Sequence, residues 1–552
     1  MAETLTKDRV IQPKFDNKGG VTYPSMTSPP SDSFAICYMV PERVIPVIFV
    51  PGVMGSNLGT IPRTGEKSAP IWLLDSDWGM LKSWGRAGAE ERKTLLRPEV
   101  TQVYREGENI KLKTAQTAEE LKRRGWGEVG HGSYAEGLLW LENNLNDFNS
   151  APNGQRVALI DAVLEGALKA DKVTREEIAL SYRYQFPVHA VGYNWLDSNA
   201  TSAQRLAEKI TEFIKFYTNN KIKCEKVIVV THSMGGLVAR HCSENLGMQD
   251  TILGIVHGVM PAIGAAAVYR RMKAGTENPT GSYKGSLGSA VLGGDAAAMT
   301  AVLSSAPGPL QLLPSIEYGM QWLKFNDGTK DLPELSLPKA DPYSEIYTVR
   351  GKWWSLCDDF LIDPRDKGKN KTTETIDRDW KEFQKTINKK VQPFLEVDLK
   401  GKYHPHTYAF VGLDHAHRAY GQVKWQFKGG INYAKPTVAN LPNAPFLRGA
   451  NGEGTEYPTS KLQMQGGRGG GTVVVDRDMP MVVSVGEEAG DGTVPSRSGR
   501  VVKGHAKAYF ELARVEHEPA YQNKNHHAQL AALHGIVKIA QRIQEVAGMA
   551  YP

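Results

Sequence analysis

The chain has 552 residues, 41% of them hydrophobic and 23% charged, with 55 glycines and 31 prolines. That make-up belongs to a globular protein with many loops and excludes disordered and fibrous classes. A net charge of +6 over this length, with no long Lys/Arg block, excludes a charge-driven nucleic-acid role.

The four cysteines, Cys37, Cys224, Cys242 and Cys357, are scattered without a C-x-x-C pair and read as free thiols. The first residues, MAETLTKDRVIQPKFD, contain no apolar run, so no Sec-type signal peptide is expected and the chain is made in the cytosol. Val44–Met54 is too short to span a bilayer, and Leu287–Leu313 carries Asp295, prolines and glycines.

In chain order, residues 1–35 are polar and rich in Gly and Pro and read as an arm on the surface. VIPVIFV, Val44 to Val50, is an apolar, mostly β-branched run that enters PGVMGS at once: a strand buried on both faces followed by a tight turn. Phe186 to Trp195 reads as the next strand. Leu206, Ile210, Phe213, Ile214 and Tyr217 then share one helical face ahead of a strand at Lys226 to Val230. A helix from about Met234, a strand at Thr251 to Pro261 and another at Thr407 to Gly412 continue the alternation. The last helix carries Leu530, Leu533, Val537 and Ala540 on one stripe, widened by Ile536, Ile539 and Ile543.

The expected fold is α/β, a mostly parallel sheet with helices on both faces, in one domain spanning residues 36–552. Residues 69–180 and 262–400 are read as cap insertions over the sheet, and Gly449–Gly471 as a flexible loop.

The chemistry concentrates at KVIVVTHSMGGLVARHC, which puts Ser233 between a buried strand and a helix. A serine in that sharp bend is exposed and backbone-strained, and the amide of Met234 points to where a tetrahedral oxyanion forms. Gly235 meets the need for a small residue two positions on. Thr231, two positions before, departs from the G-x-S-x-G pattern and must be accommodated by local spacing.

Serine at its ordinary pKa needs a base and an acid to orient that base, and in this architecture both follow it in the chain. GDGTVP presents Asp491 between two glycines, and His517 in RVEHEPAYQN precedes the final helix. Asp414 is the rival acid; His526 and His527 are the rival bases. A second oxyanion donor falls on Val53 or Met54 in PGVMGS, Met54 being favoured, and His232 is expected to pack beneath the bend. His404, His406, Asp414, His415 and His417 match no recognised metal-ligand spacing, so no metal and no cofactor are expected.

FVPGVMGS, THSMGG, GDGTVP and EHEPAYQN, in that order, resemble the lipase branch of the α/β hydrolases that includes the lecithin–cholesterol acyltransferase-like enzymes. With GIVHGVMPAIGAAAVYRRM and APGPLQLLP, the chain is most similar to the type VI secretion lipase effectors, the Tle group. The resemblance implies an α/β-hydrolase with a Ser233–His517–Asp491 acyl-enzyme mechanism acting on esters of membrane phospholipids. It further implies synthesis in a bacterial cytoplasm, export with a type VI spike or tube component, action at the membrane or periplasm of a rival cell, and a cognate immunity protein. Leu287–Leu313 then becomes either a lid that opens at a lipid surface or a buried cap helix. Two other activities remain open at this level: acyl transfer to an alcohol, and a catalytically dead binding module on the same fold.

Overall fold

The computed structural model describes residues 40–74, 87–107, 116–148, 154–276, 293–326, 329–366, 370–427 and 486–551, with short stretches at 7–11, 13–15, 21–23, 33–37, 84–85, 114, 473–476 and 479–483. The expected loop at Gly449–Gly471 and the first part of the expected lid, residues 287–292, lie outside the described residues, as does most of the N-terminal arm. Within that arm, Lys7–Ile11 pairs in parallel with Ser33–Cys37.

Seven strands form the central sheet: β1 (Val47–Val50), β2 (Ala167–Lys169), β3 (Val188–Ala190), β4 (Val227–His232), β5 (Ile252–Gly258), β6 (Thr407–Gly412) and β7 (Ala506–Leu512). Their spatial order is β3-β1-β4-β5-β6-β7-β2. All neighbours run parallel except β2, which closes the edge antiparallel to β7. β1, β3, β4, β5 and β6 are buried along their whole length, as their uninterrupted apolar runs require when helices cover both faces.

Alternation along each strand divides the core in two. Val47 and Phe49 of β1, with Ile228 and Val230 of β4, face the helices α1 (His131–Leu145) and α4 (His526–Ala540). Ile48 and Val50, with Val227 and Val229, face α2 (Asn199–Asn219) and α3 (Gly235–Asn245). The apolar stripe of α4 is seated as its spacing demands, with Leu533, Val537 and Ala540 buried. Ser198 caps α2 by accepting the Ala200 amide.

After β1 the chain first visits the far-edge strand β2, then takes up β3 on one side of β1 and β4 on the other. The connections therefore diverge at the carboxyl ends of β1 and β4, which is where open α/β sheets place their ligands. On the α2 and α3 side the core continues into an aromatic assembly that includes Trp322, Trp353, Trp425 and Tyr347. The second half of the expected lid is a helix, Ala296–Leu303, capped by Asp295 and largely buried. Cys224, Cys242 and Cys357 are free and buried. Among the described residues no helix is long and apolar enough to cross a membrane.

Candidate active site

β4 ends at His232, α3 begins at Gly235, and the two residues between make the bend. Ser233 has φ of 52°, a left-handed conformation that a side-chain-bearing residue adopts only when its surroundings impose it. Its amide donates to the Gly258 carbonyl at the end of β5, at 2.9 Å. Gly235 is required by space: a Cβ there would lie 2.4 Å from the Pro51 carbonyl oxygen and 2.5 Å from that of Val50. The departure at Thr231 is accommodated by a polar contact, since its hydroxyl sits 3.0 Å from Nδ1 of buried His257. Burial, followed by the charges of Arg240 and His404, pushes the His257 imidazole down to about 3, so this contact is between neutral groups.

Asp491 and His517 arrive from far along the chain and meet Ser233. Nε2 of His517 is 2.8 Å from Ser233 Oγ, and its Nδ1 is 2.8 Å from Asp491 Oδ2. The other carboxylate oxygen of Asp491 accepts the amides of Thr493 and Val494, at 2.9 and 2.7 Å, so the group is held from both sides. The GDGTVP turn supplies this geometry, with Gly492 at φ of 91°. Gly412, at the end of β6, leaves room for it: a Cβ there would lie 2.8 Å from that of Asp491. The amide of His517 donates to the Asp491 carbonyl at 2.9 Å, so acid and base also share a backbone bond.

The rival residues are engaged elsewhere. Asp414 accepts the His417 amide at 2.7 Å and the Arg514 amide, fastening the segment beside the Asp491 turn. Burial alone would raise its carboxyl, but these hydrogen bonds and His417 hold it below the usual range. His526 lies against Trp140, and His527 is 3.0 Å from Glu165 on an exposed surface. His404 directs Nε2 at the Ile252 carbonyl, at 2.9 Å, and accepts the His406 amide at Nδ1, at 3.0 Å.

The loop after β1 passes close under the bend, where a Cβ on Gly52 would lie 3.1 Å from that of Ser233. Met54 has φ of 63°, and its carbonyl is fixed by the Trp72 indole N–H at 2.8 Å. Among the described residues no group accepts from the amides of Val53, Met54 or Met234, which leaves these donors available beside the serine. His232 sits beneath the bend, as expected. Tyr134 of α1 contacts both it and Gly52, which the local sequence around Tyr134 gives no sign of.

A hydroxyl on a strained bend, an imidazole aligned by a buried carboxylate and unengaged amides nearby can together take a proton from serine and stabilise an oxyanion. With the mostly parallel sheet, this is an arrangement suited to acyl-ester chemistry on the α/β-hydrolase fold. Residues 189–267, which carry the bend, match the family model described as PGAP1-like alpha/beta domain. A solved structure described as the crystal structure of Tle4-Tli4 complex is similar at 28% identity and a TM-score of 0.71, over 90% of this chain and 98% of that one. The resemblance to the Tle lipase effectors read from the motifs is thereby found in the fold as well. No curated protein matches the chain in sequence.

Proposed function

We propose that this chain is a type VI lipase effector that hydrolyses the carboxylic esters of membrane phospholipids in a rival bacterium. Ser233 attacks the ester carbonyl, His517 takes its proton and returns it to the leaving alcohol, and Asp491 fixes the imidazole tautomer and stabilises the imidazolium. The amides of Met234 and Met54 receive the oxyanion, and water completes the cycle by hydrolysing the acyl-enzyme.

The observation that carries this reading is the unbroken hydrogen-bonded line from Ser233 through His517 to Asp491, at 2.8 Å for each contact, on a left-handed serine between strand and helix. The biological role is supported by the likeness to Tle4, whose solved structure is a complex with Tli4. By that likeness this chain has an immunity protein of its own, is made in the producer's cytoplasm, travels with a spike or tube component and acts at the target membrane or periplasm.

Phospholipid vesicles with a distinct label on each acyl chain test the activity. Wild type is expected to release fatty acid, and Ser233→Ala to lower the rate by ~10⁴-fold or more while keeping the fold. Equal release by both proteins would remove Ser233 from the chemistry. Transfer of label to an added alcohol in preference to water would replace hydrolysis by acyl transfer.

A further inference from the structure

We infer that Tyr134 and His232 are positioning residues that tie the Pro51–Gly55 loop to the His517 loop through one directed chain of hydrogen bonds. The inference rests on the hydrolase reading of Ser233 and deepens it.

The chemistry of the two ends fixes the direction of every bond. A backbone amide can only donate, so Gly52 N–H donates to Tyr134 Oη, at 3.0 Å. A carbonyl can only accept, so His232 Nε2–H donates to the His517 carbonyl, at 2.8 Å. The neutral tautomer with its proton on Nε2 leaves Nδ1 as an acceptor, and Tyr134 donates to it at 2.9 Å. Burial, and then the charge of the adjacent His517, pushes His232 down to about 3, so the ring stays neutral and the polarity of the chain is maintained. Burial likewise raises the Tyr134 hydroxyl, which keeps its proton.

The two loops joined in this way are remote in sequence and have to agree in space. The amides that follow Gly52 and the imidazole of His517 must address the same reacting carbonyl, and small misplacements in such an arrangement are costly. The backbone of His517 is held on both sides, by its own amide on Asp491 and by His232 on its carbonyl. The glycine loop is moulded to the pair: a Cβ on Gly52 would lie 2.8 Å from His232 Nδ1, and one on Gly55 2.6 Å from Tyr134 Oη. Tyr134 is in turn packed against Phe49 of β1, with ring centroids 5.2 Å apart. A displacement of either ring therefore moves the oxyanion loop relative to the base.

The test uses the full chain with a soluble short-chain nitrophenyl ester, reading kcat and KM separately, and a fluorophosphonate that labels Ser233. Tyr134→Phe removes a single oxygen and leaves two buried groups unpaired, so kcat and the labelling rate are expected to fall by ~10- to 100-fold with KM little changed, while the melting temperature falls but the protein stays folded at the assay temperature. His232→Leu is expected to behave in the same way. A glutamine amide, like the imidazole, can donate at one atom and accept at the other, so His232→Gln is expected to recover most of the loss. Wild-type kcat in both Tyr134→Phe and His232→Leu would overturn the inference, as would a glutamine variant no better than the leucine. Should Tyr134→Phe fail to fold, the comparison of glutamine with leucine at His232 decides alone. An unlabelled wild type, or full activity in Ser233→Ala, would instead overturn the reading of Ser233 as the nucleophile, an outcome separate from the others.

Discussion

Asp491 contacts the proposed base while Asp414 fastens the segment beside the Asp491 turn, and these contacts predict opposite phenotypes. One oxygen of Asp491 is claimed by the Thr493 and Val494 amides. In Asp491→Asn the side-chain oxygen remains with those amides and the NH₂ turns to His517 Nδ1. The imidazole is then driven to carry its proton on Nε2, where it can no longer accept one from Ser233. A kcat loss on the order of 10⁴-fold with an unaltered melting temperature is expected. Asp414 acts on stability. Its folded-state pKa lies below the ordinary carboxyl value, so its contribution is complete above that value and is lost as pH falls through the folded-state one. Asp414→Ala is expected to cost about 1–3 kcal/mol at pH 7 by denaturant titration, with the gap to wild type narrowing in acid and kcat falling by less than about tenfold. If instead Asp414→Ala abolished hydrolysis and Asp491→Asn did not, the two roles would be exchanged.

At the level of elements, the position of Ser233, the proposed nucleophile, depends on how closely α3 can start against the end of β1. Gly235→Ala would drive a methyl group into the Pro51 and Val50 carbonyls, so either the bend or β1 must move. Loss of most activity together with a destabilisation of about 1–3 kcal/mol is expected, whereas Gly504→Ala, where a Cβ meets no atom within 4 Å, leaves both intact. Equal behaviour of the two variants would show that the approach of strand to helix is not what fixes Ser233. This bend was legible in the sequence because it is local: an apolar β-branched run, a serine and a glycine-rich helix start occupy consecutive positions. Asp491 and His517 were legible because chain order restricts where an acid and a base follow such a serine. Tyr134 was not, since its role depends on α1 packing across the end of β1, and a tyrosine in SYAEGLLWLEN carries no local mark of a partner 98 positions away. The pairing of Thr231 with His257 was hidden for the same reason: each residue looks like ordinary strand interior, and only the register of β4 against β5 sets them opposite one another.

For the molecule as a whole, a site built on neutral buried histidines makes the fold sensitive to acid. His232 and His257 are both pushed down to about 3, in each case first by burial, whereas in the unfolded chain they titrate near 6.5. Between these values the unfolded state binds protons that the folded state does not. The stabilisation is therefore complete above about 6.5 and is lost progressively as pH falls toward 3. Each such group contributes a slope of up to about 1.4 kcal/mol per pH unit. His189, also lowered by burial and by the charges of Arg124, Arg123 and Lys209, acts in the same direction. The melting temperature should accordingly drop between pH 7 and pH 5.5, before most carboxylates titrate. His257→Asn, which can keep a hydrogen bond to Thr231 without a titrating ring, should flatten that dependence. Melting curves for the two proteins at half-unit intervals across this range provide the measurement. A melting temperature that holds constant from pH 7 to 5.5, or a variant with the wild-type slope, would mean that these rings accept protons without cost to the fold.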